Sequence, residues 1–129
     1  MQIRRVVTGH NQEGKALVAS DTQVDATTIN QLPGAEYHEL WSADEAPTFP
    51  DGGAQSPAKM WFPPVGGFRF ATFNVAPRSQ ALPEDFDREL AVAELEEKIP
   101  GMVSQANMEP ANPGMHTTDT IDFEYVISG

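Results

Sequence analysis

The chain has 129 residues, enough for one domain. Nineteen acidic against eight basic side chains give a formal net charge of −11, which argues against the clustered cations that nucleic acid or an anionic membrane surface requires. There is no cysteine, so disulfides, thiolate metal sites and cysteine nucleophiles are excluded.

Hydrophobic residues make up 40 % of the chain, which supports a packed core. Eleven prolines and ten glycines punctuate it often, a pattern of short strands and turns rather than a helical bundle. No run approaches the roughly 20 apolar residues of a membrane span. Arg4 and Arg5 are not followed by the apolar stretch of a signal peptide. These features predict a soluble, cytoplasmic protein with no nucleic-acid or membrane partner.

In chain order, Ile3 to Thr8 is rich in β-branched residues and predicts a strand. Gly9 to Gly14 is a turn, and Lys15 to Ser20 the returning strand, so an N-terminal hairpin over 1–20 is expected. His10 reads as a turn residue. Asp21 to Ile29 is polar and reads as a further turn and short strand. Tyr37 to Trp41 is a candidate strand, with Tyr37, Glu39 and Trp41 on one face and His38 and Leu40 on the other. Ser42 to Lys59 reads as a long loop, broken by Pro47, Pro50, Pro57, Gly52 and Gly53.

Trp61-Phe62-Pro63-Pro64 is a rigid apolar stretch, suited to folding over a barrel or meeting a partner subunit. Phe68 to Val75 is the clearest central strand. Trp41, Trp61, Phe62, Phe68 and Phe70 read as sheet and core packing, with some of them suited to lining a ligand pocket. Glu84 to Ile99 predicts the single helix, with Pro83 before it, Pro100-Gly101 after it, and spaced pairs of Glu84 with Arg88 and Glu94 with Lys98. Met108 to Pro113 is another loop.

The last segment, His116 to Gly129, alternates. Ile121, Phe123, Tyr125 and Ile127 share one face, and His116, Thr118, Thr120, Asp122, Glu124 and Ser128 the other. A straight strand aims such i, i+2 side chains at one point, and imidazole with carboxylate suits iron, manganese, nickel or zinc. An antiparallel strand with one wet face has the same pattern with no function at all.

Residues 114 to 129, Gly-Met-His-Thr-Thr-Asp-Thr-Ile-Asp-Phe-Glu-Tyr-Val-Ile-Ser-Gly, resemble the first conserved motif of the cupin superfamily, and most closely a branch of small single-domain cupins with a His-x-Thr-Asp-Thr-Ile-Asp run. The opening Arg-Arg-Val-Val-Thr-Gly-His-Asn, Glu-Leu-Trp at 39–41 and Ile-Pro-Gly at 99–101 resemble the same branch. The resemblance implies an all-β, cupin-type jelly-roll β-barrel with one surface helix, of which 1–129 would be the N-terminal part. In register with the motif, His116 matches the first histidine and Gly129 the closing glycine. Thr118 stands at the second histidine, Asp122 at the glutamate and Pro110 at the first glycine.

The second cupin motif is absent, so the expectation is an incomplete domain that ends within the first motif. The resemblance implies a small-molecule enzyme of isomerase, lyase or oxygenase type. His116 and Asp122 would be its catalytic pair and a partial site for a divalent metal, and Thr118, Thr120 and Glu124 its substrate contacts. Without a metal, imidazole and carboxylate still suit acid–base work. The alternatives are a non-catalytic module that binds a small metabolite, and an inactive structural fragment. Such proteins often pair their N-terminal strands, so a homodimer through Ile3 to Val7 is expected.

Overall fold

Asn11 builds the N-terminal hairpin. Its side-chain oxygen accepts from the Glu13 and Lys15 amides at 3.0 and 2.9 Å, and its own amide donates to the Lys15 carbonyl at 2.9 Å. These bonds hold a tight reversal between β1 (Ile3–His10) and β2 (Ala16–Val24). The computed structural model describes residues 2–56, 58–77, 79–103, 109, 111–112 and 115–129. Strand β2 runs past the expected end at Ser20 because Thr22, Gln23 and Val24 continue to pair with Arg5, Arg4 and Ile3. Ala19 is skipped in the register between Val7–Ser20 and Thr8–Val18, a bulge that adds twist to the ribbon.

The second sheet contains β3 (Thr27–Thr28), β4 (Glu36–Ala43) and β5 (Phe68–Asn74) in the order β3-β4-β5, all antiparallel. Strand β4 also carries a bulge. Glu39 pairs with Ala71 and Trp41 with Phe70, so Leu40 has no partner in the ladder. The simple alternation expected for Tyr37 to Trp41 therefore breaks at Leu40. The described residues are mainly β, in two antiparallel sheets with one helix, and the two sheets do not close on each other as a barrel.

The loop from 44 to 67 joins β4 to β5 and crosses the hairpin. His10 donates its amide to the Asp51 carbonyl at 2.6 Å. A Cβ on Gly9 would lie 2.5 Å from the Gly52 carbonyl carbon and oxygen, so the crossing needs glycine there. Gly53 has φ +77° and approaches the Ala19 methyl in the same way. His10 ends β1 with its ring edge-on to Phe49, centroids 4.8 Å apart.

Helix α1 (Arg88–Lys98) starts four residues after the expected Glu84. Asp87 is the reason: its carboxylate accepts from the Glu89 and Leu90 amides at 2.8 and 3.1 Å, an N-cap that sets the first turn. Glu84 therefore precedes the helix and has no helical pairing with Arg88. The expected Glu94–Lys98 pair does form, at 2.6 Å. Lys98 also donates to the Thr28 carbonyl at 2.8 Å and Glu94 accepts from the Asn30 amide at 2.9 Å, which clamps the helix to the end of β3. Leu95 and Ile99 then bury against Ile29, with Leu32, Tyr37, Trp61, Met102 and Val103 packed around them.

The closing strand expected over 116–129 is not formed. Residues 121–129 have no strand pairing, and Ile121, Phe123, Tyr125, Val126 and Ile127 are 66–94 % exposed. Alternation encodes which face a strand would bury, and no neighbouring strand among the described residues supplies the ladder that makes it one. The expected loop Met108 to Pro113 falls partly outside the described residues, as do Pro110 and Gly114 of the motif. Among the described residues no helix is long and apolar enough to cross a membrane.

Candidate functional site

A hydrogen-bonded turn delivers the motif to the body of the protein. The Glu109 amide donates to the Met115 carbonyl at 3.0 Å, the Asn112 amide donates to the Glu109 carbonyl at 3.1 Å, and the Met115 amide donates to the Asn112 carbonyl at 2.9 Å. Thr117 Oγ1 donates to the Glu109 carboxylate at 2.7 Å and Asn112 Nδ2 donates at 3.2 Å. These two donors, Thr117 first, hold the Glu109 carboxyl below the usual carboxylate range. Beyond the turn, the His116 ring lies over Phe62, centroids 4.6 Å apart and planes tilted by 35°.

Past His116, Thr118 and Asp119 line a cavity of about 720 Å³. Phe62, Pro63, Pro64 and Val65 form its apolar side, and Asp44, Glu45, Lys59 and Arg69 its polar side. Arg69 is a structural member of that wall. Its Nε and Nη2 donate to the Met60 carbonyl, its Nη1 to the Ala43 and Phe68 carbonyls, and its Nη2 also to Asp44 Oδ1 at 2.6 Å. A guanidinium has five donors, and these five bonds use them. With Asp44 neutralising Arg69, the remaining charges on the cavity are Glu45 and Asp119 against Lys59. The cavity is therefore slightly acidic, apolar on one side and polar on the other.

The threonine hydroxyls form a directed chain. Thr120 Oγ1 donates to Asp122 Oδ1 at 3.3 Å, and the Thr118 and Thr120 hydroxyls are 2.7 Å apart. An ionised carboxylate only accepts, and each hydroxyl has one hydrogen. Thr120 spends its hydrogen on Asp122, so the Thr118 hydrogen goes to Thr120. The hydroxyl of Thr118, a residue that lines the cavity, is left with acceptor capacity only, which suits a ligand O–H or N–H.

The predicted site residues are thus partly assembled. Thr118, Thr120 and Asp122 are joined by hydrogen bonds, and His116 stands at the same end of the segment against Phe62. Glu124 is exposed on the tail and does not line this cavity. Among the described residues no three His, Asp or Glu side chains gather around one point. One imidazole packed on a phenyl ring and one exposed carboxylate fall short of the three protein ligands that catalytic metal sites commonly use. His38 is buried on β4, 2 % exposed, away from this role. Lys59, Asp44, Glu45 and Arg69 were not foreseen as site residues. Lys59 and Arg69 flank the Trp61-Phe62-Pro63-Pro64 stretch in sequence, whereas Asp44 and Glu45 are brought to it only by the fold of the long loop.

No protein-family model, curated protein or solved structure matches this chain.

Proposed function

We propose that this chain is a cytoplasmic small-molecule-binding domain of the cupin jelly-roll kind, and that its ligand is a neutral or cationic polar organic molecule held beside Thr118. The observation that supports this reading is that Thr118 and Asp119, from the one segment of the sequence dense in polar site residues, line a cavity of about 720 Å³. That volume is within the range of small-molecule sites. The acceptor face of Thr118 favours a hydroxyl or amine, Glu45 and Asp119 disfavour an anion, and the Phe62–Val65 side receives the carbon skeleton. A polyol meets all three conditions.

The enzyme reading rests on His116, which stands next to this cavity with Phe62 covering one side of its ring. There the imidazole would accept a proton from a ligand C–H or O–H and return it to a neighbouring atom, an isomerase or lyase step. Asp122 would fix the polarity of the threonine chain. A homodimer through the N-terminal strands belongs to the same reading, supported by Val6, Leu17 and Val18, which lie exposed on the hairpin. A monomer in sedimentation at millimolar concentration would remove that part.

Ligand-observed NMR with xylitol and its acid xylonate tests the binding claim. The account expects xylitol to bind and xylonate to bind several-fold more weakly, with both signals reduced in Thr118→Val. His116→Ala separates the two functions: loss of turnover with binding kept supports the enzyme, and unchanged behaviour supports a binding module. Binding indifferent to Thr118→Val overturns the site.

A further inference from the structure

We infer that a second cavity, between the hairpin and the β4–β5 sheet, is an anion site for a small carboxylate with an apolar body, anchored by Arg5. This cavity has a volume of about 580 Å³ and lies apart from the Thr118 site, with none of its lining residues in common.

Strand alternation puts Arg5 where an apolar residue is expected. Along β1, Ile3, Arg5 and Val7 are the half-buried positions and Arg4, Val6 and Thr8 the exposed ones. Arg5 thus brings a permanent charge into a wall shared with Ile3, Val7, Leu40, Trp41 and Phe70. Its guanidinium carbon lies 5.6 Å from the centre of the Trp41 ring. Placing a cation there is costly unless it is paired.

The pairing inside the protein is incomplete. Nη1 donates to the Leu40 carbonyl at 3.0 Å and to Gln55 Oε1 at 2.5 Å. Leu40 is the residue that the β4 bulge leaves out of the ladder, which frees its carbonyl for this role. Nε is cut off from solvent and has no hydrogen-bond partner among the described residues. No described contact uses Nη2, and no carboxylate is within ion-pair distance of the guanidinium among the described residues.

None of the acids nearby pairs directly with Arg5 among the described residues. Arg4, the neighbouring cation, takes Asp21 through two bonds, at 2.7 and 2.5 Å. Asp51, which also lines the cavity, accepts from the Gly53 amide at 2.7 Å and keeps its charge, but it is not within ion-pair distance of Arg5. Glu39 is reached only through the Gln55 amide, at 3.4 Å. The guanidinium therefore lines a largely apolar cavity with Nε buried and unpartnered among the described residues and with no carboxylate paired directly to it. A carboxylate supplies what is missing: a charge-assisted bond to Nη2 and a counter-charge beside Nε. The Trp41, Leu40 and Phe70 side chains receive the ligand body.

Isothermal titration of the 129-residue chain with benzoate and with benzamide, which share one ring and differ in charge, tests this. Benzoate is expected to bind at least about tenfold more tightly than benzamide, the ratio that a charge-assisted hydrogen bond supports. Arg5→Gln is expected to abolish that preference, Arg5→Lys to retain part of it, and Trp41→Leu to weaken both ligands, with far-UV circular dichroism confirming that each variant is folded. Equal affinity for the two ligands in the wild-type chain, or no binding of benzoate, overturns the proposal whatever the variants do. So does a preference that survives in a folded Arg5→Gln.

Discussion

Thr118 and Asp122 are coupled through Thr120, so that the charge on Asp122 determines which way the Thr118 hydroxyl points. The carboxylate has no hydrogen to give, and the orientation passes along the 3.3 and 2.7 Å bonds to the cavity wall. Asp122→Asn supplies an amide that donates as well as accepts, and releases that constraint. Xylitol affinity should fall about three- to tenfold in Asp122→Asn, the cost of one misdirected hydrogen bond, with the fold unchanged because Asp122 is exposed. Titration calorimetry of the two proteins measures the difference. Equal affinities would mean that the chain of hydroxyls is not directed.

The crossing of loop 44–67 over the hairpin depends on Gly9. A methyl group there meets the Gly52 carbonyl carbon and oxygen at 2.5 Å, and backbone does not yield as a flexible side chain does. Gly9→Ala should lower stability by about 1–3 kcal/mol, the usual cost of overpacking, seen as a lower urea midpoint. An unchanged midpoint would show that the loop does not press on the hairpin.

The Asp87 cap should carry the start of the helix. Asp87→Ala removes the acceptor for two amides and should cost about 1 kcal/mol. The loss should appear in thermal unfolding together with faster hydrogen exchange at Glu89 and Leu90. Protection that is unchanged at both amides would assign the helix start to other contacts.

Glu94 gives a pH dependence with a definite sign. The hydrogen bond from Lys98, then that from the Asn30 amide, holds its carboxyl below the usual range, against the opposing effect of burial. The unfolded chain therefore takes up this proton first as pH falls. The stabilisation is full above the unfolded value of about 4.3 and is lost as pH drops through the lower folded value. Urea midpoints should decline over that acid range, and Glu94→Gln should flatten the decline. A Glu94→Gln profile parallel to that of the wild-type chain would contradict the assignment.

Much of the strand order follows from local chemistry. The turn residues Asn11 and Gly14, the β-branched run at Ile3 to Val7 and the aromatic run at Phe68 to Phe73 are local signals, and the strands form where they occur. The two bulges are not local. Leu40 leaves the ladder because of how β4 meets β5, and its freed carbonyl accepts one of the Arg5 bonds. The helix starts later than Pro83 and the acids after it suggest, because Asp87 caps it and the Asp87 amide is held by Gln31 Oε1 at 3.0 Å, a contact from a distant segment. In the site, the polar set Thr118, Thr120 and Asp122 was legible from its i, i+2 spacing, although the segment carries no ladder. Lys59 and Glu45 were not, because only the folding of a long loop brings them to Thr118.

Methyl-resolved NMR of the chain during titration with xylitol tests the central claim most directly. The account predicts saturable shifts at the Thr118 and Val65 methyl groups and none at Val7 or Leu40, which line the Arg5 cavity. Shifts that leave Thr118 and Val65 unmoved, or that gather at Val7 and Leu40, would contradict it.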